Sequence, residues 1–189
     1  MMPPAARPTL FLDRDGVINE EVHRLHHPRD LVMIPGAAEA IAAVNRAGVP
    51  VVVITNQAGI GMGLYGEDAL RAVNQAIEAR CAAVGGHVDA WYHCPHVPTA
   101  DCACRKPRPG MLLSAAAEQG AALSRSILIG DKESDLGAAR AAGCRAMLVR
   151  TGYGRRCEAE LVARGEAARF DGCWDTLALA VPDVLPLLA

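Results

Sequence analysis

Short apolar runs that end in polar groups alternate along this chain with longer stretches whose apolar residues recur every three or four positions. The first run, Pro8-Thr9-Leu10-Phe11-Leu12, stops at Asp13-Arg14-Asp15-Gly16. Later ones are Val51-Val52-Val53-Ile54 before Thr55-Asn56, Val88 to Tyr92, Ile127-Leu128-Ile129 before Gly130-Asp131-Lys132, and Ala146-Met147-Leu148-Val149. Runs of this length bounded by turn residues read as buried strands. Between them, Ala37 to Ala47 places Ile41 and Val44 three apart and closes at Gly48, and the stretch after Gly66 carries Leu70, Val73, Ile77 and Val84 before Gly85-Gly86. Pro109 opens a helix through Met111-Leu112-Leu113 to about Gly120, and Glu133 to Ala142 forms another that Gly143 ends. Strands alternating with helices predict an α/β fold: one doubly wound, mostly parallel sheet with helices on both faces. In such sheets the ligand crevice lies at the carboxyl ends of the strands, where Asp13, Thr55 and Asp131 fall. Beyond Tyr153 the pattern weakens. Glu158 to Gly165 reads as a helix, Ala168-Arg169-Phe170 as a short edge strand, and Thr176 to Ala180 as another helical turn or two, all packing rather than chemistry.

A length of 189 residues with 51% apolar and 21% charged positions suits one globular domain, taken as residues 9–189 after a loose N-terminus at 1–8. A net charge of -2 offers no basic field for a nucleic-acid backbone, and no apolar run approaches the roughly 20 residues that span a bilayer. Met1 to Arg7 has no apolar core of a signal peptide, so a cytoplasmic location is expected, and a monomer. Seven cysteines, an odd number crowded beside histidine, favour a metal over disulfide bridges.

Two stretches carry chemistry. Residues two apart on an extended chain point the same way, so Asp13 and Asp15 reach one pocket, and Gly16 permits the sharp departure that follows. Adjacent carboxylates repel unless a cation or a shared proton relieves them, which points to a divalent ion or to divided acid and base roles. Farther on, Cys94-Pro95-His96 and Cys102-Ala103-Cys104 bring three thiols and an imidazole within about a dozen residues, the donor set of a closed tetrahedral zinc site. Cys94, His96, Cys102 and Cys104 are the expected ligands, and the Zn2+ would be structural, pinning a loop that leads into Arg105 and Lys106. His93 is a spare imidazole, and Cys81, Cys144, Cys157 and Cys173 read as small core residues.

In order, Asp13-x-Asp15, Thr55, Lys106 and Gly130-Asp131-x-x-x-Asp135 resemble the four motifs of the haloacid dehalogenase-like phosphatases, from Phe11 to about Gly152. The resemblance implies a Rossmann-like domain in which Asp13 is the nucleophile and forms an aspartyl-phosphate, while Asp15 protonates the leaving alkoxide and then activates water. It implies Mg2+ held by Asp13, the backbone carbonyl of Asp15 and Asp131. Thr55, with the amides of Asn56 and Gln57, would hold phosphate oxygens, and Lys106 would offset their charge. Asp135 would brace Lys132 or Lys106 or orient metal waters, and it also reads as an ordinary acid in the first turn of a helix. Relatives often insert a cap, but roughly 40 residues between Asp13 and Thr55 and roughly 50 between Thr55 and Lys106 are used by the expected elements, so a capless, open pocket is expected.

Within that superfamily, Asp-Arg-Asp-Gly-Val-Ile-Asn, Thr-Asn-Gln-Ala-Gly-Ile, the Cys-Pro-His loop and Cys-Arg-Lys-Pro-Arg-Pro-Gly-Met resemble a group made up of heptose 1,7-bisphosphate 7-phosphatases and histidinol-phosphatases. Gly-Asp-Lys-Glu-Ser-Asp-Leu and Leu-Val-Arg-Thr-Gly-Tyr-Gly are closer to the heptose branch, which implies a sugar bisphosphate substrate on the way to lipopolysaccharide core. The short zinc loop is similar to that of histidinol-phosphatases, which keeps that activity as the alternative. A non-catalytic, zinc-stabilised binding module is a third reading. For a bisphosphate, Arg105 suits bidentate contact with the distant phosphate or sugar hydroxyls, Lys132 adds charge, and Glu21, Val22, His23 and Arg24 would border the sugar.

Overall fold

A computed structural model describes residues 6–189. Its strands are β1 Leu10–Leu12, β2 Val51–Asn56, β3 Ala90–Cys94, β4 Ile127–Gly130, β5 Arg145–Val149 and β6 Gly172–Trp174. All pair in parallel in the order β3-β2-β1-β4-β5-β6. The helices are α1 Ala37–Arg46, α2 Ala58–Gly61, α3 Glu67–Ala82, α4 Gly110–Gln119, α5 Glu133–Ala142, α6 Gly154–Ala163 and α7 Leu177–Val184.

Parallel strands need helical crossovers, and both faces of the sheet are covered. Leu10, Leu12, Val51, Val53, Ile127 and Ile129 pack with Ile41, Ile77 and Val181, hence with α1, α3 and α7. The residues between them, Phe11, Val52, Ile54 and Leu128, pack with Met111, Leu112, Leu136 and Leu161 of α4, α5 and α6. Because side chains alternate along a strand, a one-residue slip would exchange these two sets, so the dense packing of both faces fixes the register. The chain winds outward one way from β1 to β3 and the other way from β4 to β6. The switch between β1 and β4 opens a crevice at their carboxyl ends.

Four local expectations shift. The third strand runs over Ala90–Cys94 rather than from Val88 to Tyr92. It lies at the sheet edge, and its ends follow β2: the Asp89 amide donates to the Val51 carbonyl, and Cys94 pairs with Asn56. Val84 lies past the end of α3 and is exposed, so it is not part of that helix's apolar face. Helix α6 begins at Gly154, four residues before the expected start, where a Cβ would strike the Val149 carbonyl. Residues Ala167–Arg169 form a 3-10 turn, not a strand, because the Ala168 and Arg169 carbonyls turn outward to accept from Arg140. The edge strand is β6 instead, in register with Met147 to Val149.

Candidate active site

Strand β1 ends at Leu12, and Asp15 therefore reaches the crevice by a turn rather than along an extended strand. The Arg14 carbonyl accepts from the amides of Val17, Ile18 and Asn19, and Gly16 adopts φ +87°. Asp13 is almost fully buried. Its Oδ1 accepts from the Arg14 amide at 2.7 Å and faces Lys106 Nζ at 2.9 Å. The Lys106 ammonium also lies 2.7 Å from Asp135 Oδ1 and donates to the Ile54 carbonyl at 2.9 Å, so two carboxylates and a carbonyl surround its charge. Asn56 holds the Lys106 backbone from both sides: Nδ2 donates to its carbonyl at 3.2 Å and Oδ1 accepts from its amide at 3.1 Å.

Asp131 and Asp135 come from the β4 end and the first turn of α5. Asp135 Oδ2 accepts from the Lys132 amide at 3.0 Å, so Asp135 braces both lysines, one through its charge and one through its backbone. Gly130 makes room for it, since a Cβ there would lie 2.2 Å from the Asp135 Cβ. Asp131 sits against Gly16 and Gly152, where an added Cβ would approach its Oδ2 to 2.2 and 2.3 Å. That Oδ2 accepts from the Tyr153 amide at 2.8 Å, whereas Oδ1 is buried with no hydrogen-bond partner and has Lys132 Nζ at 3.6 Å. Carboxylate oxygens of Asp13, Asp131 and Asp135 lie within 4.8 Å of one another. A buried, unpartnered oxygen among three acids fits a hard divalent cation such as Mg2+.

Asp15 is held differently. Its Oδ1 accepts from Arg14 Nε at 3.2 Å, Arg14 Nη2 at 2.9 Å and Asn19 Nδ2 at 2.9 Å, while Oδ2 accepts from Arg14 Nη2 at 2.9 Å and Gln57 Nε2 at 3.0 Å. Burial raises its pKa, but the Arg14 charge and these donors outweigh burial and keep it below the ordinary carboxylate range. Burial pushes Asp13 up to about 6 against the pull of Lys106, and burial with the charges of Asp13 and Asp135 pushes Asp131 up to about 8. Asp15 is thus held ionised, whereas Asp13 and Asp131 resist ionisation until a cation joins them.

A cleft of about 280 Å³ opens above these groups, lined by Asp13, Asp15, Glu21, His23, Arg24, Thr55, Asn56, Gln57, Arg105, Lys106 and Lys132 among others. Val22 is not in the lining and points to solvent. Glu21 is paired with Lys132 at 3.0 Å, and Lys132 lies 4.8 Å over the Tyr153 ring. His23 and Arg24 both have positive φ, 47° and 67°, which bends the loop over the cleft mouth. Thr55 Oγ1 accepts from Gln57 Nε2 at 2.9 Å, leaving its hydroxyl proton free to donate. The expected amide contact from Gln57 is not available to a phosphate, because that amide donates to the Cys94 carbonyl at 2.8 Å. Arg14, Asn19 and Tyr65 escape sequence reading. Arg14 stands between two acids and would ordinarily be read as pointing away from them, yet the turn buries its guanidinium against Asp15.

The loop from Cys94 to Cys104 gathers four soft donors. Cys94 Sγ is 3.5 Å from His96 Nδ1, 3.7 Å from Cys102 Sγ and 3.2 Å from Cys104 Sγ, and Cys104 Sγ is 3.3 Å from His96 Nδ1. His93 instead pairs with Glu67 at 3.0 Å. Cys81, Cys144 and Cys157 are buried, and Cys173 is half-buried.

Comparison with known proteins agrees with this architecture. A family model described as haloacid dehalogenase-like hydrolase matches residues 5–140, and a second hydrolase-like model matches residues 103–178. The D-glycero-D-manno-heptose-1,7-bisphosphate 7-phosphatase of Thermosynechococcus vestitus is 42% identical over 161 residues, covering 79% of this chain and 82% of the relative. The D-glycero-beta-D-manno-heptose-1,7-bisphosphate 7-phosphatase of Bordetella bronchiseptica is 40% identical over 152 residues, covering 80% and 85%. A crystal structure of a D,D-heptose 1,7-bisphosphate phosphatase from B. bronchiseptica, complexed with magnesium and phosphate, superposes with a TM-score of 0.86 at 37% identity, covering 94% of this chain and 98% of that one.

The buried acids make metal-free stability depend on pH. Asp13 and Asp131 hold protons in the folded chain up to about 6 and about 8, whereas an ordinary aspartate releases its proton near 3.8. Where the folded state binds more protons, stability falls as pH rises. In metal-free buffer Tm should therefore fall between about pH 4 and pH 8, and millimolar Mg2+ should remove most of that slope. Scanning calorimetry across this range checks it, and a Tm that climbs with pH in the absence of metal would contradict the assignment.

Proposed function

The chain belongs to the haloacid dehalogenase-like hydrolases, and we propose that within that family it is a Mg2+-dependent phosphatase that removes the 7-phosphate of D-glycero-D-manno-heptose 1,7-bisphosphate. The observation that carries this reading is the division of charge in the cleft. Asp13, Asp131 and Asp135 cluster with Lys106 at one end, while Arg24 and Arg105 line the same space without an ion-pair partner among the described residues. A bisphosphate needs one site for the phosphate that reacts and free cationic side chains for the one that does not, and Arg offers bidentate geometry for the second. The names of the relatives at about 40% identity support the same substrate. The product would feed nucleotide-heptose synthesis for lipopolysaccharide core, and residues 9–189 would act as one domain.

Asp13 Oδ1 is engaged by the Arg14 amide and Lys106, which leaves Oδ2 to attack phosphorus in line with the leaving oxygen. The Asp13–phosphorus bond forms as the bond to the sugar oxygen breaks, and Asp15 gives that oxygen its proton. Asp15 is ordinarily ionised, so it takes up this proton from solvent as the dianionic phosphate arrives beside it and raises its proton affinity. Water then attacks phosphorus, Asp15 recovers a proton from it, and the Asp13 ester opens to release inorganic phosphate. The Thr55 hydroxyl donates to a phosphate oxygen. Lys106, held between Asp13 and Asp135, offsets the charge of the phosphate oxygens. Asp13, the Asp15 carbonyl and Asp131 would hold Mg2+, which would supply the positive charge that phosphoryl oxygens need.

The Cys94, His96, Cys102 and Cys104 set suits a structural Zn2+. Zinc–thiolate bonds of about 2.3 Å place tetrahedral sulfurs about 3.7 Å apart, close to the Cys94–Cys102 spacing of 3.7 Å. Burial pushes the Cys94 thiol up to about 12, and a bound cation would offset the cost of its deprotonation. Arg105 follows Cys104 directly, which ties the zinc loop to the cleft rim.

Purified protein with Mg2+ should hydrolyse heptose 1,7-bisphosphate with far higher kcat/KM than histidinol phosphate, and Asp13→Asn should lower kcat by at least about 10³-fold. The reverse preference, or turnover that survives in Asp13→Asn, would overturn the assignment. Metal analysis of protein prepared without chelator should find about one zinc per chain. Cys102→Ser should lower Tm and raise KM with a smaller change in kcat, and zinc-free protein of full thermal stability would refute the zinc site.

A further inference from the structure

Tyr65 belongs to none of the acid, threonine or lysine motifs, yet its ring lines the cleft. Its hydroxyl donates to Gln57 Oε1 at 2.7 Å, and Nε2 of the same amide donates to Asp15 Oδ2 at 3.0 Å. A carboxylate only accepts, so the amide nitrogen must face Asp15 and the amide oxygen must face away from it. The phenol is the donor that meets this oxygen. Asp15 Oδ2 and Thr55 Oγ1 both hold the nitrogen end of the amide, and Tyr65 is the partner that holds its oxygen end.

The surroundings are shaped for this ring. A Cβ at Gly59 would lie 2.1 Å from the Tyr65 ring, so α2 needs glycine where the ring passes. His26 stacks on Tyr65 with centroids 5.3 Å apart and planes within 2°, and its Nδ1 lies 2.8 Å from the Arg24 carbonyl. The two Asp15 oxygens are also unequally served. Oδ1 receives three donors, whereas Oδ2 receives one from Arg14 and the one that Tyr65 aims through Gln57.

We infer that Tyr65 is a positioning residue, whose hydroxyl orients the Gln57 amide and thereby directs Asp15 Oδ2 toward the leaving-group oxygen. The inference rests on the reading of Asp15 as the proton donor.

The test compares two phosphate esters in the first turnover by rapid quench: heptose 1,7-bisphosphate, whose alkoxide must be protonated, and 2,4-dinitrophenyl phosphate, whose phenolate leaves without a proton. Tyr65→Phe keeps the ring and its stacking. It should slow sugar release by about three- to tenfold, the worth of one hydrogen bond, while dinitrophenolate release stays within about twofold. Adding Tyr65→Phe to Gln57→Ala should cause no further loss, because the hydroxyl acts only through that amide. Equal losses on both esters would make the hydroxyl merely structural, and an unchanged sugar rate or additive losses in the double variant would equally overturn the inference. Asp15→Asn separates the two levels. A selective loss on the sugar ester there, with none in Tyr65→Phe, sinks only the role of Tyr65, whereas no selective loss in Asp15→Asn removes the proton-donor reading as well.

Discussion

One ammonium group, Nζ of Lys106, ties together the parts on which the cleft depends. It is 1% exposed and contacts Asp13 from the end of β1, the Ile54 carbonyl of β2 and Asp135 from α5. A buried charge is tolerable only when its partners replace the water it has lost, and removing one partner typically costs about 3–5 kcal/mol. Lys106 therefore cannot move without disturbing three elements at once. Its own backbone is clamped by Asn56, one residue beyond Thr55, so the loop that bears it is fixed to β2 as well. In the proposed reaction the same charge would also offset the negative charge that gathers when phosphate meets Asp13.

The sheet explains why these groups converge. Strands β1 and β4 are neighbours where the winding direction reverses, so the connections after them diverge and leave a gap between Asp13 and Asp131. Gly16 and Gly152 bring two backbones against Asp131, and the unpartnered Asp131 oxygen that results is an electrostatic debit within the protein alone. It becomes favourable once a cation shares it. The soft-donor loop at the edge of β3 is a separate device. Its first donor, Cys94, is the last strand residue, so the sheet positions one donor and a bound metal would organise the other three.

Legibility in sequence followed the kind of constraint. Continuous apolar runs revealed the strands flanked by packed helices, because burial on both faces of β1, β2, β4 and β5 dictates their composition. Edge elements were less readable. The bounds of β3 and β6 come from pairing with β2 and β5, and a sequence pattern carries little of that. Asp13, Thr55, Lys106 and Asp131 stood out because each follows a strand or an ordered motif. Gln57 was expected to offer its backbone amide, but the edge pairing with Cys94 consumes that donor, and only its side chain faces the cleft. Tyr65 gave no signal. Its proposed role depends on an amide eight residues away, a relation that no periodicity or spacing encodes. Arg14 was hidden for a related reason, since the turn after Leu12 reverses the direction an extended strand would have given it.

The central claim is that an oxygen of Asp13 bonds covalently to phosphorus while Lys106 and a divalent cation balance the charge. Beryllofluoride, which mimics a phosphoryl group on a carboxylate, tests it most directly. A crystal structure of the protein grown with beryllofluoride and Mg2+ should show beryllium bonded to an Asp13 oxygen, with Thr55 in contact with a fluorine. Beryllofluoride bonded to any other side chain, or none bound at Asp13 with Mg2+ in place, would contradict the account.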